Sequence, residues 1–249
     1  MANKISSREE IESFSLPSHA RSYKVIPHAY AIENTIKILN ENNFQIDNEI
    51  YKTNKEGGVM QAIFHISQNN QIDSEIGMMF AFANSYDKTT RFKCAIGAYV
   101  FVCDNGMISG DINYSRKHIG NADIEVIQQI RSQISNASSI FTNIANDKNE
   151  IKKISLNQRE QAELAGRLFY EKEIITANQM SIIKYEFKNP SYNYNVDSNN
   201  LWSFYNHVTH ALKKDHPRNW IEASQDFHKF IVSEFLTNSQ VNNLDSDIF

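Results

Sequence analysis

The sequence predicts an α+β protein: an antiparallel β-meander of four or more strands, preceded by one helix and followed by a long helix and a helical C-terminal region. Three observations predict it. Between Phe44 and Cys103, apolar residues recur in strand-like runs separated by short polar turns. From about residue 121 onward, apolar residues recur instead at steps of three and four. A single apolar stripe at helical spacing (Ile32, Ile36, Leu39) stands before the first strand.

Taken in order, residues 1–26 are polar and read as an N-terminal arm with a short helical candidate at 8–14. Pro27 suits a first helical turn, so residues 28–42 form the leading helix. Phe44, Ile46 and Ile50 alternate in a strand that ends near Thr53. Gly57-Gly58 is a turn signal, and residues 59–67 are the second strand. A polar turn at 68–74 leads to a third strand at 75–83, a polar tip at 84–89 and a long fourth strand at 91–103. Such short connections make successive strands antiparallel. Met78, Phe80 and Phe82 lie on one alternation of the third strand and Met79, Ala81 and Ala83 on the other. Both faces are therefore covered, and Phe80, Phe82, Ile96 and Val100 belong to the core. Asp104-Asn105-Gly106 closes the fourth strand, with positive φ expected at Asn105-Gly106.

Val126, Ile130, Ile134, Ala137, Phe141 and Ile144 mark a long amphipathic helix over 124–146, with a Ser- and Asn-rich middle where it can bend. Ser155 with Gln158, and Thr176 with Gln179, match capping boxes that open two further helices. Residues 189–200 are a loop. Leu201, Phe204, Tyr205, Val208 and Leu212 form another stripe, Pro217 breaks it, and a last helix runs over about 219–236. The result is one domain over 27–236, with the sheet at about 44–115, the helical part at about 121–236, and a polar tail at 237–249.

A chain of 249 residues with formal charge −4 and a pI near 6.1 is unlike a general coat for duplex DNA, which is basic. A local basic strip remains compatible with it. Cys94 and Cys103 are too few for a disulfide framework or a clustered zinc site, and read as free buried thiols in a reducing compartment. The polar N-terminus is no signal peptide, and no apolar run approaches the ~20 residues of a membrane span. Cytoplasmic placement follows, with no membrane partner. No phosphate-loop, dinucleotide, nucleophile-elbow or zinc-helix motif is present. No catalytic residue, metal ligand or cofactor is therefore assigned. His207 and His210, three apart, lack a third ligand and read as a solvated or capping pair. Asp215, His216 and Arg218 at the helix break suit turn or capping duty.

Three clusters carry the remaining information. The first, residues 84–91 (Asn-Ser-Tyr-Asp-Lys-Thr-Thr-Arg), is either a self-bonded hairpin tip or a polar recognition loop. The second, Val102-Cys103-Asp104-Asn105-Gly106-Met107, is first a sharp turn. The third, Arg116-Lys117-His118-Ile119-Gly120-Asn121, leads into a helix N-terminus and is the best phosphate-binding candidate. A solvated basic turn is its plain alternative. Together with Leu201-Trp202, Tyr205-Asn206 and Thr209 through Lys213, these clusters resemble the uncharacterised phage/plasmid-like domain family of prophages, phages and conjugative elements. The resemblance covers residues 27 to 235. That family often has threonine where this chain has Ile119. It has no agreed catalytic residues, so it implies none here. Its members travel with anti-restriction and DNA-repair genes, which implies service to mobile-element DNA in a host cytoplasm. The order helix, meander, long helix is also distantly similar to RecT/Redβ-type single-strand annealing proteins, which implies a homo-oligomer.

The expected function is that of a non-catalytic DNA-binding protein for recombination, repair or protection, preferring single strands. Lys88, Arg91, Lys93, Arg116, Lys117 and His118 would hold phosphates, and Tyr86 or Tyr114 would stack on bases. The alternative is a protein-protein factor that inhibits a host defence protein or assembles in the virion. An enzyme with an unfamiliar active site stands third.

Overall fold

Alternating apolar residues and short turns produce the meander that the sequence predicts. The computed structural model describes residues 4–17, 25–68, 73–86, 90–114 and 122–237. Its elements run β1 (Lys4–Ile5), α1 (Arg8–Ser13), α2 (His28–Glu41), β2 (Gln45–Thr53), β3 (Val59–Ser67), β4 (Ile76–Ser85), β5 (Lys93–Val100), β6 (Gly106–Ile108) and β7 (Asn113–Tyr114). The helical half follows: α3 (Ala122–Ser135), α4 (Ala137–Ile151), α5 (Gln158–Tyr170), α6 (Ala177–Lys188), α7 (Leu201–Leu212), α8 (Trp220–Ile231), then a π-helical turn at Val232–Leu236. The sheet order is β1-β2-β3-β4-β5-β6, antiparallel at every pairing, and β7 shares the outer edge of β5 with β6.

Both faces of the central strands are covered, as the two apolar alternations require. Phe64, Phe80 and Ile96 lie in register across β3, β4 and β5, and all three are fully buried. Phe82 and Val100 are buried with them. Met79 and Asn84 of β4 are five residues apart, so they point to opposite faces. On the Asn84 face sits His28 of α2, which accepts the Asn84 side-chain amide at 3.0 Å. On the Met79 face lies Trp220 of α8, against Gly106. β5 has an edge problem between β6 and β7: β6 pairs with Gly97–Tyr99 and β7 with Lys93–Cys94. Gln133 of α3 fills the gap. It accepts the Ile96 N–H at 3.1 Å and donates to the Asp111 carbonyl at 2.8 Å, so no buried backbone donor is orphaned there.

Several local expectations shift. Residues 4–14, expected within a polar arm, extend the fold. Lys4 and Ile5 pair with Thr53 and Lys52, and Ile11 of α1 enters the core. The fourth strand ends at Val100, not Cys103; the chain turns there and leaves Phe101 and Val102 exposed. The long helix breaks at Asn136 (φ −102°, ψ 5°) into α3 and α4, within the Ser/Asn-rich stretch. The capping box of α5 is Asn157 with Glu160, two residues beyond the Ser155 expectation, because Ser155 forms a β-bridge with Asn200. Thr176 and Gln179 cap α6 as expected. Positive φ falls on Asp104 (53°), not on Asn105-Gly106. Gly106 is required for another reason: a Cβ there would collide with the Trp220 ring. Cys94 and Cys103 are free and buried. Among the described residues, no helix is long and apolar enough to cross a membrane.

Candidate nucleic-acid interface

Lys93 opens β5 and Tyr114 closes β7, and the two are direct cross-strand partners. Paired residues in an antiparallel ladder point to one face, and here that face meets the first turn of α8. Glu222 of that turn takes both side chains. Lys93 Nζ lies 2.7 Å from Glu222 Oε2, and the Tyr114 hydroxyl donates to Oε1 at 3.1 Å. The three form one wall of a cleft of about 390 Å³, lined also by Thr90, Arg91, Arg218 and Asn219.

The electrostatics divide the cations into two kinds. Lys93 is only 2% exposed and Glu222 is 41% exposed. Burial lowers the Lys93 pKa, Glu222 works against that, and the positive Arg218 adds to it. The Lys93 charge is thus committed to holding the wall. Tyr114 is pushed up to about 12, first by burial and then by the Glu222 carboxylate, so its hydroxyl stays a donor. The residue as a whole remains 43% exposed. Arg91 and Arg218, at the rim, pair with no carboxylate among the described residues. Three cations against Glu222 leave the lining with an excess of two positive charges. Asp226, one turn further along α8, is a nearby acid whose pKa is raised, chiefly by burial.

The structure therefore brings together Arg91, Lys93 and Tyr114 of the residues nominated from sequence. Tyr86 lies elsewhere. Its ring stacks on His28 at 3.9 Å and 11°, and its hydroxyl accepts the His28 backbone N–H at 2.7 Å. Lys88, Arg116, Lys117 and His118 lie outside the described residues, in segments that adjoin Thr90 and Tyr114 along the chain. Arg218, Asn219 and Glu222 were missed as site residues. The turn duty expected of residues 215–218 is real: Asp215 accepts the His216 N–H at 2.7 Å, and His216 Nδ1 accepts the Arg218 N–H at 3.2 Å. That same turn after Pro217 aims Arg218 at the cleft, a placement no local pattern encodes.

Other titratable groups are used internally. His207 and His210 do not form a solvated pair. His207 is buried beside Phe187 and Tyr194, and burial holds its pKa down to about 4. His210 lies 3.8 Å from the buried Glu186. Burial pushes the Cys103 thiol up to about 11, so it stays protonated at neutral pH. Asn105, from the turn after β5, donates to the Asn206 backbone carbonyl at 3.0 Å and to its side-chain oxygen at 3.2 Å. Among the described residues, no group of three or more His, Cys, Asp or Glu side chains is placed to hold a metal ion.

Fold and site define an α+β protein whose helices clothe an antiparallel meander and whose polar cleft is rimmed by two arginines without a carboxylate partner among the described residues. The chain belongs to the family described as Domain of unknown function (DUF932), whose model matches residues 15–238. No curated protein and no solved structure matches it significantly.

Proposed function

We propose that this is a phage- or plasmid-encoded, non-catalytic protein that binds single-stranded DNA through its phosphates and serves recombination, repair or protection of mobile-element DNA. The observation that carries the reading is the rim of the cleft, where Arg91 and Arg218 have no carboxylate partner among the described residues and stand beside the exposed Tyr114. Guanidinium groups grip phosphate in a bidentate way, and an aromatic face beside a cationic track is the usual platform for unpaired bases. The resemblance to phage and plasmid proteins supports the setting, and the distant likeness to RecT/Redβ-type proteins supports a homo-oligomer working along a strand.

Fluorescence anisotropy with labelled oligo-dT across a salt series tests the proposal. Each single-strand phosphate contact contributes about −0.7 to the log-log slope, so two arginines give roughly −1.4. Participation by Arg116 and Lys117 as well would steepen it to roughly −2.8. Arg91→Glu with Arg218→Glu should weaken binding and flatten the slope by about 1.4. A folded wild-type protein that binds no oligo-dT at low salt would refute the proposal.

A second reading rests on a separate feature. Ala162, Ala165, Met180, Ile183 and Phe187 line an apolar groove of about 640 Å³ between α5 and α6, edged by Lys184 and Lys188. Such a groove suits a protein contact, as a factor that inhibits a host defence protein or joins the virion would make. A host protein that stays with the tagged chain through nuclease treatment would favour it.

A further inference from the structure

The Glu222 carboxylate is the odd member of a phosphate-binding cleft, because it repels the ligand that the arginines attract. Its position is nonetheless built. Lys93, buried beneath it, holds Oε2, and the Tyr114 hydroxyl holds Oε1. A carboxylate oxygen has two acceptor sites, so each keeps one site unused by these anchors, and the group is 41% exposed toward the cleft.

We propose that Glu222 reads an unpaired guanine, an inference that rests on the strand-binding reading above. Two parallel acceptors side by side match two adjacent donors, and among the DNA bases only the Watson–Crick edge of guanine offers them, as N1–H and the N2 amino group. Adenine and cytosine each present one amino donor beside a ring-nitrogen acceptor. Thymine presents one N–H between two carbonyls. Each of these sets an acceptor against the carboxylate, and an unmatched buried acceptor is costly. In a duplex the guanine edge is occupied by cytosine, so the recognition requires a single strand. Tyr114 completes the site. Its hydroxyl is tied to the same carboxylate, so a base lying on its exposed ring has its edge beside Glu222. Arg91 and Arg218 then take the flanking phosphates. The cleft, at about 390 Å³, falls within the range of roughly 300 to 1,000 Å³ for sites that enclose small ligands.

The test uses the full chain and labelled oligo-dT carrying one central dG, deoxyinosine or dA. Inosine keeps N1–H and lacks only the amino group. Wild type should bind the dG probe on the order of tenfold tighter than the other two, the effect of a hydrogen bond to a charged acceptor. Glu222→Gln should bring the dG probe to the level of the dA probe. Because that change strips Lys93 of its counter-charge, Tyr114→Phe is the second variant. It keeps the ion pair and the ring, frees one carboxylate oxygen, and should narrow the dG preference. Equal, salt-dependent binding of all three probes by wild type overturns the guanine assignment and leaves strand binding standing. A dG preference that survives in a folded Glu222→Gln protein overturns it too. No binding of any probe at low salt overturns both.

Discussion

Replacing Lys148 by Met removes one buried charge and leaves two others facing its place. Lys148 of α4 is 3% exposed, and its ammonium lies 2.9 and 2.7 Å from the two Asp73 oxygens and 3.0 Å from Glu75. Asp73 also accepts the backbone N–H groups of Glu75 and Ile76, which sets the entry into β4. Lys152 bonds both Glu75 oxygens, at 2.6 and 2.7 Å, so Glu75 keeps a counter-charge and Asp73 does not. Breaking a buried pair by deleting one partner costs about 3–5 kcal/mol; the remaining Lys152 places Lys148→Met at the lower end, about 3 kcal/mol. At roughly 2–4 °C per kcal/mol for a chain of this size, Tm should fall by about 6–12 °C near neutral pH. The pH dependence gives an independent check. Burial pushes both carboxyls up, but the lysines, with the backbone N–H groups on Asp73, outweigh it. Both therefore sit below their ordinary values of 3.8 and 4.5. A carboxyl with a depressed folded pKa contributes stability above its unfolded pKa and loses it as pH falls through the folded value. The gap between wild type and Lys148→Met should therefore be full near neutral pH and close below about pH 4. His28, held down to about 4 by burial, makes both proteins acid-sensitive alike, so the difference is the quantity to read. Thermal melts followed by circular dichroism across this range decide it. A Tm loss under about 2 °C near neutral pH, or a gap that persists unchanged into acid, would refute the reasoning.

Phe80→Ala, at a fully buried position in the middle of β4, should cost about 3–5 kcal/mol; urea unfolding with an unchanged midpoint would show that β4 is not central. Asn105→Ala removes two hydrogen bonds to Asn206, whose carbonyl keeps the Thr209 hydroxyl and whose side-chain oxygen keeps the Cys103 thiol, and should cost about 1 kcal/mol, while affinity for oligo-dT in anisotropy stays at the wild-type level.

The meander was legible because its signal is repetitive: period-two apolar runs, covered on both faces, between polar turns. The interdigitated core of Phe80, Phe82, Ile96 and Val100 followed from that pattern alone. What escaped was decided by tertiary contacts. β1 is two exposed residues long, with no alternation to read, and exists only because the edge of β2 accepts it. Ser155 has the right residue type for a cap, but pairing with Asn200 fixes it outside the helix and passes the role to Asn157. Of the candidate site, Arg91 and Lys93 were visible as part of a local basic excess and Tyr114 as an aromatic beside it. Arg218 and Glu222 arrive from more than a hundred residues later in the chain, through the packing of α8 on the sheet.

Two of the clusters that carry the resemblance, at Asn84–Tyr86 and Val102–Met107, have a different use from the residues that line the cleft. Asn84 donates to the Ile26 carbonyl and to the His28 ring, and Tyr86 stacks on that ring, so the first cluster fastens α2 to one end of the sheet. Asn105 bonds Asn206, the Cys103 carbonyl accepts the Lys213 ammonium, and Gly106 makes room for Trp220. The second cluster thus fastens α7 and α8. Because β4 and β5 are antiparallel, Asn84 at the end of one and Asn105 beyond the end of the other lie at opposite ends of the sheet. The described residues of these two clusters are clasps that set the helices on the meander, and they specify a fold. Arg91 lies at the edge of the first cluster, and Arg218, Asn219 and Glu222 lie outside all of them. The two clasps therefore account for the architecture, while the ligand has to be sought through the arginines of the cleft and the carboxylate of Glu222 anchored beside them.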